Sequence, residues 1–425
     1  MDFHGQVSEP NQLANVNLPL LLQPSYARSK SLLFDELRSF RISLKWCALD
    51  HSSGFGKFIS YLTFIFFTIV VPLLCCFAIK VPSSAAADDP ISFNKLVQFP
   101  ESGLALLGFF TLSRFFSKYG LRQLLFLDGL QDDSLFVRRG YTRELDKSFR
   151  YLACILLPSF FVELAHKIIF FSTVKVTLPY ISSGVPLNSI MFVLVLTSWV
   201  YRTGVFLLVC VLFRSTCELQ ILRFEGFHKT FEGCESDAGV IFKEHARIRK
   251  QLSATSHRYR FFIIASLVVI TVSQLGALLL VLATKSDKSF FNSGDLVVCS
   301  AVELSGFLLC LLGAARITHR AQGIAAIGSR WHMAVTCASA GSDSWKEQAD
   351  CRDVDSDSSD IFITVSSQDR YSSFQTRQAL VAYLQHNNGG ITLFGFALDR
   401  GLLHTLFAFE FSLVLWILSK VVVLS

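Results

Sequence analysis

The chain has 425 residues, of which 52% are hydrophobic and only 17% charged; 41 are phenylalanine, the net charge is +6 and the mean hydropathy is +0.46. Soluble domains do not sustain that balance, so apolar side chains must meet lipid as well as one another, which argues against a soluble enzyme or a nucleic-acid-binding module. Eleven cysteines lie in apolar runs or basic segments without zinc-type spacing, and are read as reduced thiols.

Residues 1–28 are polar and spotted with Pro and Asn, predicting a disordered tail, and nothing before Gly56 resembles a cleavable signal sequence. Within 29–56, "SKSLLFDELRSFRISLKWCALD" sets Leu33, Leu37, Phe40 and Leu44 on one helical face, with Lys30, Arg38, Arg41 and Lys45 around the others. This predicts a basic amphipathic helix, either lying on the inner membrane surface or packed on the cytoplasmic ends of a bundle. Six runs then supply the roughly 20 helical residues that a core of about 30 Å requires: 57–80, 150–173, 186–213, 260–284, 294–315 and 401–424. The first of them would act as its own signal anchor. "SGLALLGFFTLSRFF" at 102–116 is short and carries Arg114, so by hydropathy alone it reads as a span or as a re-entrant piece.

Charge placement decides for a span, because Lys and Arg flanking membrane helices are retained on the cytoplasmic side. Counting seven spans from an internal N-terminus leaves 31 of the 39 Lys and Arg in cytoplasmic segments. Seven fall to the outer segments, Lys167 among them, and Arg202 stays inside a span. The expected architecture is an all-α, integral membrane seven-helix bundle with a cytoplasmic N-terminus and an extracellular C-terminus, in the plasma membrane rather than an internal one. That orientation excludes the rhodopsin-like plan, and an odd number of spans argues against a simple inverted-repeat transporter. Residues 57–338 would hold the first six transmembrane helices with cytoplasmic helical extensions. Residues 339–369, with their "DSDSSD" core, would form a disordered Ser/Asp-rich cytoplasmic loop, and 370–425 an anchor helix, a break at Asn-Asn-Gly-Gly and the last span.

Ionisable groups inside spans are costly and normally face protein or water. Here they are Glu163, His166, Arg202, Glu303, His404 and Glu410. Arg202 and Glu410 sit at about the same depth, roughly 20 Å from the outer ends of their spans, which predicts an Arg202–Glu410 ion pair or a link through Thr203, Ser412 or water. Glu163, His166 and Glu303, with Gln274 and Ser305, would line an outer-half polar pocket or make simple interhelical hydrogen bonds. His404 and Glu410, six residues apart, fall on different helical faces. No nucleophile–base constellation, phosphate loop or metal-ligand spacing points to an enzyme, a cofactor or a bound metal.

At "SKSLLFDELRSFRISLKWCALDHSS" and again at "GGITLFGFALDRGLLHTLFAFEFSLVLWILSK" the chain resembles a plant family of seven-helix membrane proteins of unknown function. That family is described as extracellular ligand-gated ion channel-like, and is regarded as distantly related to insect gustatory and odorant receptors. The resemblance covers nearly the whole chain for the plant family, and the topology and last span for the insect receptors. It implies a homotetramer conducting monovalent or divalent cations, with the last helix of each subunit lining a central pore, the cytoplasmic parts joining subunits, and a small-molecule ligand in an outer-half pocket. Of the insect receptors' last-helix motif, Gly-Phe-x-x-Asp is matched by Gly395, Phe396 and Asp399. Glu410 and Phe411 stand where that motif has Thr-Tyr, and Ile417 and Leu418 replace its Gln-Phe. Four copies of Glu410 would therefore either ring a cation path or turn sideways to pair with Arg202. A non-conducting scaffold recruiting partners through its cytoplasmic helices and Ser/Asp loop, and a proton-coupled carrier using Glu163, Glu303 or Glu410, stand beside the channel reading.

Overall fold

The computed structural model describes residues 54–78, 90–118, 133–173, 187–231, 237–283, 290–349, 367–387 and 389–423. The expected N-terminal tail, most of the 29–56 amphipathic helix and the "DSDSSD" core lie outside the described residues. Helix α1 (Gly54–Ile65) runs through a π-helical turn (Phe66–Val70) into α2 (Val71–Ala78). Then follow α3 (Pro90–Lys118), α4 (Leu135–Thr173), α5 (Leu187–Thr230), α6 (Ala238–Ala283), α7 (Phe290–Ala349) and α8 (Ser367–His386). A two-stranded hairpin, β1 (Thr392–Leu393) and β2 (Phe396–Ala397), leads into α9 (Arg400–Val423).

Six of these helices, counting α1 to α2 as one, are long and apolar enough to cross a membrane. α3 completes a seven-helix membrane bundle. The 102–116 stretch is no re-entrant piece: it belongs to a continuous helix of 29 residues that buries Leu104, Phe109 and Leu112 against α5, α6 and α7. Phe109 stacks on Phe64 of α1, ring centroids 4.0 Å apart.

The π turn has a local cause. Pro72 lacks an N–H and its ring crowds the carbonyl four residues back, that of Thr68. Val71 accordingly bonds back to Phe66, and the carbonyls left over are taken by neighbours: Ser102 Oγ donates to Thr68 O (3.2 Å) and Ser198 Oγ to Phe67 O (2.6 Å). The turn thereby fixes α1 to both α3 and α5.

α5 is the axis of the bundle, with an unbroken run from Arg202 to Phe213 buried on every side. A helix apolar around its whole circumference can be enclosed by lipid or by protein, and here α2, α3, α4, α6 and α7 surround it. α7 comes so near that a Cβ on Gly306 would lie 2.6 Å from Leu207 Cδ2.

At 1.5 Å per residue, α4 to α7 are roughly 60–90 Å long and must project well beyond a hydrocarbon core of about 30 Å. The projecting parts are tied by charge. Asp133, just before α4, accepts Arg223 Nε of α5 (2.8 Å) and Arg247 Nη2 of α6 (2.5 Å). Arg316 and Arg320 of α7 reach Glu218 (2.7 Å) and Glu225 (2.9 Å) of α5. α7 itself continues to Ala349, well into the stretch whose composition predicts a loop from 339, and α8 begins at Ser367, within that loop's expected end. α8 packs on α7 further up, where Phe374 lies against His332 and Leu384 against Gly328.

Candidate functional site

Arg202 governs the polar interior, and its partner is not the one that depth predicts. Its Nη2 lies 3.0 Å from Glu101 Oε2 of α3, both side chains being buried. Its Nη1 donates to Ser102 Oγ (3.1 Å) and Gln98 O (3.4 Å), while Nε has no hydrogen-bond partner among the described residues. On α7, Cys299 Sγ donates to Glu303 Oε1 at 3.1 Å. Glu101, Trp199, Arg202, Phe206, Cys299 and Glu303 line one narrow cleft between α3, α5 and α7, with room for about one water molecule. Gln98 extends the network to α2, donating to Cys75 Sγ at 3.6 Å.

The other expected pocket residues divide. Glu163 and His166 are buried on α4. Lys167, counted by sequence with the outer segments, is buried too, its Nζ 3.4 Å from Glu163 Oε1. Gln274 and Ser305 are not in the cleft. Ser305 Oγ donates to Ala301 O of its own helix (2.6 Å). Gln274, with its amide turned to donate, gives hydrogen bonds to Glu410 Oε2 (3.0 Å) and Glu410 O (3.2 Å).

Glu410 therefore needs no arginine. Thr271 Oγ1 donates to its Oε1, Gln274 donates to its Oε2, and both partners stand on α6. The predicted Arg202–Glu410 pair is replaced by Arg202–Glu101 on one side and Glu410–Thr271–Gln274 on the other, because α9 docks on α6 and α7 while Arg202 faces α3. Leu403, Glu410, Leu413 and Ile417 form the single buried stripe of α9. The opposite stripe, Gly401, Thr405, Ala408, Ser412 and Ser419, is small, rich in hydroxyls and exposed, as is His404 beside it. The hydroxyls of Thr405, Ser412 and Ser419 donate to carbonyls of their own helix at 3.1, 2.7 and 2.9 Å, so their oxygen lone pairs remain available outward.

The Gly-Phe-x-x-Asp residues shape the entry to that helix. Phe394 (φ 50°) and Gly395 (φ 95°) occupy the centre of a tight hairpin turn whose handedness requires positive φ at both positions. Phe396 lies exposed on β2. Asp399 caps α9, its Oδ1 accepting the Leu402 N–H at 2.8 Å. Ser256 and Thr318 tether the hairpin to α6 and α7 by hydrogen bonds with Thr392 N and Ile391 N.

Sequence reasoning missed Glu101, Cys299 and Thr271. Glu101 directly precedes the short apolar run and reads as its flank, although an arginine buried in one span calls for a carboxylate in another, and that demand was the available signal.

The sequence pattern of a family described as a protein of unknown function, DUF3537, matches residues 35–409. None of the curated proteins compared with the chain is similar in sequence. Among solved structures, the insect olfactory receptor OR5 from Machilis hrabei is similar in fold, with a TM-score of 0.55 at 14% identity over 90% of this chain and 97% of that one. Its complex with eugenol gives a TM-score of 0.52 at 13% identity over 87% and 91%.

Proposed function

The chain belongs to the DUF3537 family, and on that premise we propose that it is one subunit of a regulated cation channel, a homotetramer in which α9 of each copy lines a central pore. The two-faced last helix carries this reading. α9 exposes Leu402, Phe409, Phe411, Leu415 and Trp416, as a helix meeting lipid would, but between Leu415 and Trp416 it turns Thr405, Ser412 and Ser419 outward in one stripe, and hydroxyl lone pairs suit a wetted, cation-conducting surface. The likeness in fold to an insect olfactory receptor supports it.

The distribution of Lys and Arg supports a cytoplasmic N-terminus and an extracellular C-terminus. The Arg202 cleft then lies near the middle of the membrane, where a small-molecule ligand at the plasma membrane would reach it from the outer side. With room for about one water, the cleft takes such a ligand only if α3, α5 and α7 part, which is how occupancy would reach the pore. The charged helical extensions on the other side would join subunits.

One observation favours a second reading, the non-conducting scaffold: Glu410 is satisfied within its own subunit, so four copies present no carboxylate ring to a pore. Currents decide between the two. Purified protein in planar bilayers is expected to pass cations, Ser412→Cys to become blockable by a charged thiol reagent, and Glu410→Gln to keep the native selectivity. Bilayers silent with every cation and additive would favour the scaffold, and block at Glu410→Cys but not Ser412→Cys would turn α9 the other way round.

A further inference from the structure

The hairpin between α8 and α9 is built against local preference. A two-residue turn of its handedness favours Gly, Asn or Asp at both central positions, yet the first is Phe394 at φ 50°. A bulky side chain is strained there, and such strain persists only where something offsets it. Burial within the subunit does not: Phe394 is 65% exposed, and Phe396, just beyond the turn, 77%. Nor is the tip loose, because Thr392 N donates to Ser256 Oγ of α6 (3.2 Å) and Ile391 N to Thr318 Oγ1 of α7 (3.1 Å). The Phe394 ring is met by a cation instead, the Arg260 guanidinium of α6 standing 5.0 Å from its centroid.

This corner stands at the edge of the membrane whichever way the chain is oriented. Arg260 is the last charged residue before an uncharged run on α6 from 261 to 284, and the hairpin leads directly into α9. Phe115 of α3 lies edge-on to Tyr259, which brings the exposed Arg114 to the same level, and the exposed Arg400 opens α9. Among the described residues no carboxylate pairs with Arg260, and Asp399 on the hairpin is engaged in capping α9. Exposed aromatic rings beside arginines at this depth are what an anchor on a negatively charged membrane presents. We propose that the corner binds the headgroup of an anionic phospholipid, Phe394 and Phe396 seating among the lipids while Arg260, held over the Phe394 ring, takes the phosphate in its planar fork. Free phosphate would meet the arginine but leave both rings in water, so the ligand is the lipid. The leaflet is the cytoplasmic one if the orientation proposed above holds; the contact itself needs neither that orientation nor conduction.

Native mass spectrometry of the full chain in mild detergent, titrated separately with phosphatidylserine and phosphatidylcholine, tests this. The wild type is expected to hold phosphatidylserine more tightly, and glycerophosphoserine, the same headgroup without acyl chains, should fail to displace it. Arg260→Ala should weaken phosphatidylserine binding about fivefold, the effect of one cation near an anionic surface. Arg150→Ala, which removes the same charge from an exposed position on α4, should not. Phe394→Asn, suited to positive φ, should also weaken lipid binding while keeping or raising the thermal unfolding midpoint. Equal binding of phosphatidylcholine, an equal loss in Arg150→Ala, or displacement by glycerophosphoserine or inorganic phosphate overturns the proposal. So does lipid binding that survives Arg260→Ala and Phe394→Asn, and if one of these does not fold the other decides. Fewer subunits per assembly in these variants, with lipid binding unchanged, would overturn it in favour of contact with a second copy.

Discussion

α5 and α9 are both apolar enough to cross a membrane, yet 89% of the apolar window of the first is buried inside the protein and 22% of that of the second. Hydropathy reports only that a side chain avoids water. Burial separates a helix whose surroundings are its own chain from one whose surroundings are lipid or another copy. On α5 the price of being enclosed is that Arg202 must find its counter-charge within the subunit; on α9 Glu410 is held within the subunit by the neutral Thr271 and Gln274, but the other side of the helix stays open.

The sharpest way to break this contrast is Arg202→Leu, which takes the guanidinium away from the buried Glu101 and should cost about 3–5 kcal/mol, read as a large fall in thermal unfolding midpoint in detergent micelles. Adding Glu101→Leu should recover most of the loss; an indifferent single variant would mean that the pair does not hold α5. A smaller effect, about 1–3 kcal/mol, is expected of Gly306→Ala, whose Cβ would collide with Leu207 where α7 meets α5. Smallest of all is Phe411→Ala on the open side of α9. It should change the stability of the dispersed subunit by less than about 0.5 kcal/mol, yet raise the fraction of dissociated subunits in native mass spectra if that side meets another copy. Equal sensitivity at Gly306 and Phe411 in the isolated subunit would erase the distinction between the two helices.

Much of the fold was legible in sequence. Apolar run length marks the spans, and the short 102–116 run was rescued by the basic residues beyond it, since membrane insertion reads local composition. The Asn-Asn-Gly-Gly break after α8 and the capping Asp399 are likewise local signals. The site was legible only as a set of residues that had to be compensated. Glu163, His166, Arg202, Glu303 and Glu410 are all buried polar positions, but their grouping is not the one that depth implied.

By itself, the sequence determined that the chain is a bundle of membrane helices and which side chains cannot face lipid alone, because the transfer of each residue from water to hydrocarbon is a property of that residue and its near neighbours. Only the tertiary structure decided that Arg202 meets Glu101, that Glu410 meets Thr271 and Gln274, and that α7 runs on to Ala349. Equal depth in a membrane is necessary for two charges to pair, but lateral adjacency is set by how whole helices pack, and that is a sum over many contacts that no single position carries.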